Sequence, residues 1–221
     1  ALFGAGILGV GIMMGAYWAY ETLNFGGYWN WDPVENASFV PWLVLLGAIH
    51  TMIAYKTSSS ALKTSIILVI ATFILVLYST FLNRSGILGN ASVHSFTDLG
   101  LSGQLLLYMG TFLLVAIGMS IYRWKDLPKD QKELGTYNRE FWVFVGAAVL
   151  GLSAFQLTFT TSIPVYNKIA EAFGILSNIA LPADQAEHYS KIQIWIFLAV
   201  AILSGIGQYV WWGKIKQSTS F

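Results

Sequence analysis

The sequence has no cysteine. This chain therefore forms no disulfide, offers no thiolate to a metal and has no thiol nucleophile of its own. Charge is scarce as well. Asp, Glu, Lys and Arg make up 10% of the 221 residues, where a soluble domain carries roughly 25%. Net charge is +1, so there is no basic surface of the kind that binds nucleic acid. The opening residues, ALFGAGILGV, lie inside an apolar run and lack an initiator Met. They also lack the basic start and cleavage site of a signal peptide. The chain is therefore expected to be part of a longer polytopic protein.

What is abundant is apolar and aromatic side chain. Hydrophobic residues make up 56% of the chain, mean hydropathy is +0.61, and there are nine tryptophans. A helix needs about 20 apolar residues to cross the hydrocarbon core. Six runs qualify, at approximately 1–20, 38–56, 64–82, 103–123, 141–163 and 192–213. Lipid offers no hydrogen-bond partner to an open strand, so helices are the expected form. The expected fold is all-α: one polytopic transmembrane bundle of about six spans over residues 1–221, with a tryptophan-rich loop outside the cytoplasm.

Orientation follows from the basic residues of the loops. Lys56 and Lys63 flank one loop, and Arg123, Lys125, Lys129, Lys132 and Arg139 lie in or beside another. The C-terminal tail adds Lys214 and Lys216. The three opposite loops hold Arg84, Lys168 and Lys191 between them. Loops 57–63 and 124–140 and the tail are thus expected to face the cytoplasm, with KDLPKDQKELG a solvated linker. Segments 21–37, 83–102 and 164–191 are expected to face outside. In the first run Gly11 and Gly15 are four apart, a spacing that permits close helix contact.

One outward-facing segment does not read as membrane filler: NFGGYWNWDPVENASFVPWLVLLGAIH, residues 24–50. Gly26 and Gly27 break a helix and permit close backbone approach to a ligand. Trp29 and Trp31 are two apart and share one side if the segment is extended. Asp32, Pro33 and Glu35 suit a cap, a first turn and a dipole-favoured position. They predict a helix from about Pro33 through Pro41 to His50. Tryptophan at a membrane surface ordinarily belongs to an aromatic belt. A belt does not need Phe25, Tyr28, Trp29 and Trp31 interleaved with paired glycines and closed by Asp-Pro. A flat aromatic platform suits a large planar ligand.

FGGYWNWDPVENASFVPWL, at 25–43, resembles a known signature. The haem-handling membrane proteins of cytochrome c maturation (CcmF, CcmC and CcsA/ResC) carry a tryptophan-rich "WWD" motif, roughly W-G-G-x-W-x-W-D-P-V-E-N. The departure is Phe25 where that family usually has Trp, which keeps a stacking face and loses an indole donor. FLNRSGILGNASVHSF, at 81–96, resembles the CcmF segment that carries an external histidine. The resemblance implies that Phe25, Gly26, Gly27, Tyr28, Trp29 and Trp31 form a haem platform. It implies that His94, in the 83–102 loop, ligates iron. A solvated loop histidine is the plain alternative. Asp32, Glu35 and Asn36 would orient the platform, the histidines or the substrate, though capping alone also explains Asp32.

His50 lies about 25 Å along the predicted helix from Asp32, toward the inner half of the bilayer. An intramembrane ionisable group is a functional hypothesis by default. The resemblance makes it an axial ligand of a second, b-type haem. A neutral histidine bonded between helices is the alternative. His188 is external and matches neither motif. Arg84 is the only charge near the top of the third run, and arginine pairs bidentately with carboxylates. It is either a clamp for haem propionates or an ordinary interfacial arginine. Both irons would need second ligands from outside these motifs.

The function implied is cytochrome c biogenesis in the bacterial cytoplasmic (inner) membrane, as a component of a haem lyase. Haem b would be substrate at the outer face, with a second haem b as bound cofactor. Apocytochrome c would supply the two thiols of a C-x-x-C-H motif, and other cytochrome c maturation membrane proteins would be partners. A CcmC-type haem exporter, a b-haem quinol electron-transfer subunit and a secondary transporter are the alternatives. The transporter has the least support, since no pair of broken helices is visible.

Overall fold

The computed structural model describes residues 1–23, 27–55, 60–89, 91–96, 100–127 and 139–207. All regular structure among them is helical. Six helices are long and apolar enough to cross a membrane: α1 (Leu2–Thr22), α2 (Pro33–Ala54), α3 (Ser60–Arg84), α4 (Ser102–Arg123), α5 (Arg139–Thr161) and α7 (Gln185–Gly207). At 1.5 Å per residue each spans slightly more than the ~30 Å hydrocarbon core. The chain is an all-helical integral membrane protein with the six expected spans.

The ends of the helices follow from local chemistry. Asp32 Oδ1 accepts from Val34 N at 3.0 Å, and Glu35 Oε2 accepts from Asp32 N at 3.1 Å. This reciprocal capping box, with Pro33 in the first turn, starts α2. Helix α7 begins seven residues before the apolar run at 192. Asp184 Oδ1 accepts from Glu187 N at 2.7 Å there, so a cap starts the helix in polar sequence. The segment expected to face outside at 164–191 also holds α6 (Ile163–Ala172), which a loop assignment did not anticipate. With ten residues it reaches about 15 Å and cannot span the bilayer.

Helix α2 is the hub. It packs against α5, α3 and α1, while α7 packs on α5 and, among the described residues, α3 is the only spanning helix that α4 meets. Val40, Leu43 and Val44 of α2, Leu150, Ala154 and Leu157 of α5, and Tyr189 of α7 form the main core. Ala37, Phe81, Leu82 and Leu88 form a second cluster toward one end. Lipid tails are as apolar as leucine, so packing and interhelical hydrogen bonds must hold such a bundle. Ser65 Oγ donates to Thr51 Oγ1 at 2.9 Å, joining α3 to α2. Between α5 and α7, Ser153 Oγ donates to Gln193 Oε1 at 2.6 Å, and Gln193 Nε2 donates to Gln156 Oε1 at 2.7 Å. Tyr78 OH donates to Ser162 Oγ at 2.6 Å.

The close contact expected of Gly11 and Gly15 is made elsewhere. A Cβ at either position would meet nothing within 4 Å. At Gly9 it would sit 3.0 Å from Trp42 Nε1. That indole donates to the Ala5 carbonyl at 3.0 Å, so α2 fills the notch in α1 with a ring.

The segments grouped as outward-facing by basic-residue counting meet at one end of the bundle. Trp31 bonds Ser190, Asp32 bonds Ser92, and Trp18 approaches His94. Lys56, Lys129, Lys132, Lys214 and Lys216, and most of the 124–140 linker, lie outside the described residues, so much of the opposite side of that count does too.

Candidate functional site

Residues 85–89 and 91–96 lie in a compact loop between α3 and α4. Leu88 is fully buried at its base. Ser92 N donates to the Leu88 carbonyl at 2.9 Å, and Phe96 N donates to the Asn83 carbonyl at 3.1 Å, closing the loop on α3. One edge of the loop is tied to the cap of α2. Ser92 Oγ donates to Asp32 Oδ1 at 2.5 Å, and Val93 N donates to Asp32 Oδ2 at 3.3 Å. His94 N donates back to Ser92 Oγ at 3.1 Å. His94 Nδ1 lies 3.2 Å from Asp32 Oδ1, with the imidazole 12% exposed. Capping and histidine orientation are therefore not alternatives for Asp32, which does both.

This pairing raises the His94 pKa above its ordinary value of 6.5. The hydrogen bond to Asp32 is the main cause, the charges of Asp32 and Glu35 add to it, and burial opposes it. A carboxylate on Nδ1 also fixes the tautomer and makes the other nitrogen more basic, as in the outer shells of metal-bound histidines. With Nδ1 turned to Asp32, Nε2 is on the far side of the ring.

Glu35 and Asn36 hold the tryptophan segment from below. Glu35 Oε2 accepts from Asn30 N at 3.0 Å as well as from Asp32 N. Asn36 is fully buried, and its Nδ2 donates to the Trp31 carbonyl at 2.9 Å. Trp31 takes φ = 56°, a left-handed conformation that is rare for a bulky side chain. Three contacts over-determine it: the Asn36 bond, an Nε1–H bond to Ser190 Oγ at 3.1 Å, and stacking on Tyr189 at 5.7 Å and 28°.

That packing changes the platform. Trp29 and Trp31 stand nearly perpendicular, at 87° with centroids 6.0 Å apart, so they do not form a flat two-ring surface. Both rings also pack edge-on to Phe39, and Trp31 lies against the main core. The open aromatic surface is made by other rings. Tyr28 is exposed and stacks on Tyr20 at 4.3 Å and 13°. Trp18 is 53% exposed, its ring 6.1 Å from that of His94. Gly27 has only the Trp29 backbone near the place of a Cβ, at 3.9 Å. Phe25 and Gly26 lie outside the described residues.

Arg84 is exposed at the end of α3, its guanidinium 4.0 Å over the Phe96 ring. It has no carboxylate partner among the described residues. His50 is in α2, remote from this end. Its Nδ1 lies 2.7 Å from the Leu46 carbonyl, which makes Nδ1 the donor and leaves a lone pair on Nε2. It lines a cavity of about 400 Å³ between α2, α5 and α7, with Trp142, Leu150 and Ser204. No second histidine lines that cavity. His188 lies in the first turn of α7, edge-on to Tyr189 at 5.1 Å, with a buried Nε2 that has no hydrogen-bond partner among the described residues. No group of three or more His, Asp or Glu forms a metal cluster among the described residues.

Sequence reasoning missed Ser92, Trp18 and Tyr189. Only Trp18 left a signal, as one of the aromatics that end the first apolar run. Ser92 and Tyr189 act through contacts with distant segments.

A family model described as cytochrome C assembly protein matches residues 1–89. The cytochrome c-type biogenesis protein CcmF of Haemophilus influenzae is 34% identical over 96% of this chain. The chain is CcmF-like. The CcmF-like sequence spans just under a third, 31%, of the length of that relative. An Arabidopsis thaliana protein, the cytochrome c biogenesis CcmF N-terminal-like mitochondrial protein 2, is 39% identical over 62% of this chain and 63% of its own length. The fold also superimposes on a solved structure, the cytochrome c heme lyase CcmF, with a TM-score of 0.61 and 26% identity. That match covers 97% of the CcmF-like chain and 30% of the solved one. The chain belongs to the CcmF family of cytochrome c-type biogenesis proteins.

Proposed function

We propose that this chain binds haem at the outer face of the membrane and presents it for covalent attachment to apocytochrome c, as one part of a haem lyase. The observation that carries the reading is the Asp32–His94 pair, 3.2 Å apart at the mouth of the tryptophan segment. A carboxylate-oriented imidazole beside half-exposed Trp18 and exposed Tyr28 suits a planar iron ligand. Arg84, at the end of α3 where this loop begins, has no carboxylate partner among the described residues and is the candidate partner for a propionate. Trp29, Trp31, Glu35 and Asn36 hold the segment's shape rather than offering a flat stacking face. With Phe25, Gly26 and Gly27 they complete the candidate haem-binding set.

Haem is the substrate in this reading. Each apocytochrome thiol adds across one haem vinyl group. A carbon–sulfur bond forms, the vinyl double bond is consumed, and the thiol proton ends on the neighbouring carbon. The addition needs no oxidant, and the thiols belong to the partner, consistent with a chain that has no cysteine. The chain's contribution is proximity and orientation. The second iron ligand comes from elsewhere in the protein or from other cytochrome c maturation membrane proteins. The basic-residue asymmetry supports an outward-facing site in the bacterial cytoplasmic membrane.

A second haem, of b type, is supported by His50. Its Nε2 lone pair and the adjoining 400 Å³ cavity suit one axial bond, with the other ligand from outside the cavity lining. The reading is tested by reduced-minus-oxidised spectra and pyridine haemochrome counts on wild type, His94→Ala and His50→Ala. Loss of external haem and of cytochrome c maturation in His94→Ala is the expected result. Unchanged maturation in that variant overturns the proposal, and haem lost only in His50→Ala favours a membrane electron-transfer subunit.

A further inference from the structure

The loop that carries His94 has a second face. Its Ser92–His94 edge turns to Asp32, while Gly86, Gly89 and Ala91 turn the other way and line a cavity of about 600 Å³. The opposite wall is α6 and the segment that follows it. Pro164, Asn167, Lys168 and Glu171 of α6 line the cavity at i, i+3, i+4 and i+7, which is one helix face. A short outer helix would ordinarily turn such a face to open water. Here it is turned toward the His94 loop, across a groove.

The groove has three features of a peptide site. Its floor is glycine by necessity. Gly86 has φ = 74°, and a Cβ on Gly89 would sit 3.1 Å from the Gly86 carbonyl. The floor therefore stays flat enough for another main chain to approach. Its rim is a non-helical strip, residues 175–182. Asn167 braces this strip: its Oδ1 accepts from Ile179 N at 3.1 Å and from Ser177 Oγ at 2.8 Å, and its Nδ2 donates to the Ile179 carbonyl at 2.8 Å. The backbone N–H and C=O groups of Leu176, Ser177 and Asn178 make no hydrogen bond among the described residues. A braced strip with unpaired main-chain groups is what an extended peptide can pair with. The charge is already balanced, since Lys168 Nζ lies 2.9 Å from Glu171 Oε2. The groove therefore selects neither acidic nor basic peptides.

We propose that this groove holds an extended stretch of unfolded apocytochrome c, next to its C-x-x-C-H motif, by main-chain contacts. The proposal rests on the haem-presenting reading above. The occupant follows from place and chemistry. The reacting thiols must reach a haem held at His94, and the groove is the other face of the same short loop. Reading main chain rather than side chains suits apocytochromes of differing sequence around one fixed motif. It also supplies a release step. Once haem is attached and the cytochrome folds, the extended stretch is withdrawn into its own structure and the pairing is lost.

The test is binding of a fluorescein-labelled peptide, C-x-x-C-H with flanking residues and both cysteines replaced by serine, to the purified full-length protein. Three proteins are compared: wild type, Leu176→Glu and Asn178→Pro. Leu176 is fully exposed and lies outside both core clusters of the bundle. Asn178→Pro removes one N–H donor. Binding about tenfold weaker in both variants, with the haem spectrum unchanged, is the expected result. Folded holocytochrome should fail to displace the peptide. Equal peptide affinity in wild type and both variants overturns the proposal, as does a haem-loaded wild type that binds no peptide. Holocytochrome that displaces the peptide as well as unlabelled peptide does also overturns it. A wild type that binds peptide through the groove but takes up no haem leaves the groove standing and overturns the haem reading instead.

Discussion

Asp32 illustrates how one side chain can serve a helix and a site together. Its carboxylate caps α2, accepts from Ser92 and Val93, and faces His94. Because the pair raises the His94 pKa, its stabilisation is present in full below about pH 6.5, the ordinary histidine value, and fades as pH rises through the raised one. Iron binding runs the other way, since a proton on Nε2 competes with the metal. Haem affinity should fall on acidification with a midpoint above 6.5, measured by spectroscopic titration. Asp32→Asn should move that midpoint to lower pH and weaken haem binding roughly 10- to 100-fold at high pH, as loss of an outer-shell partner does. Ser92→Ala should keep the midpoint's direction and show a smaller loss. Sequence made Asp32 legible as a cap and His94 as a ligand candidate. It could not show that they touch, because they are 62 positions apart and Ser92, which joins them, carries no signature of its own.

At the scale of the element, the tryptophan segment is fixed by what lies beneath it. Trp31 keeps a left-handed φ only while Asn36, Ser190 and Tyr189 hold it. Strained positions of this kind cost about 1–3 kcal/mol. Asn36→Leu should free the Trp31 carbonyl and lower haem occupancy without disturbing the α2 cap, which haemochrome counting and far-UV circular dichroism would separate. Unchanged occupancy would mean the segment's shape is not needed for haem. The alternation of Trp29 and Trp31 suggested one flat face. The left-handed turn at Trp31 is a local conformation that alternation cannot anticipate, and it sets the rings at 87°. Helix α1 offers a similar lesson. The glycine spacing pointed to Gly11 and Gly15, whereas Gly9 receives Trp42. Gly9→Leu should therefore detach α1 from α2 and lower thermal stability in detergent, while Gly11→Leu should not.

For the whole molecule, polar side chains between helices do much of the holding, because lipid removes the apolar driving force. Gln193 is fully buried and ties α7 to both Ser153 and Gln156 of α5. Gln193→Leu should cost about 1–2 kcal/mol, read as a lower unfolding temperature in detergent. The loss should be reduced in a Ser153→Ala background, since that partner would no longer be left unpaired. Helix α4, by contrast, has no buried residue, and among the described residues α3 is the only spanning helix it touches. Polar-to-apolar exchanges along it should leave the stability of this bundle unchanged.

The sequence by itself determined the class of fold, the six spans and the identity of the motif. Each depends on a one-dimensional property: length of apolar run, or spacing within a short signature. It also determined the start of α2, because a capping box is written within four consecutive residues. The tertiary structure alone decided which of those motif residues face outward, which anchor the core, and which of three histidines meets a carboxylate. It alone revealed α6 and the groove behind the His94 loop. Those features arise where segments far apart in the chain are brought to one end of the bundle, and only the packing of α2 against α1, α3 and α5, and of α7 on α5, sets that meeting.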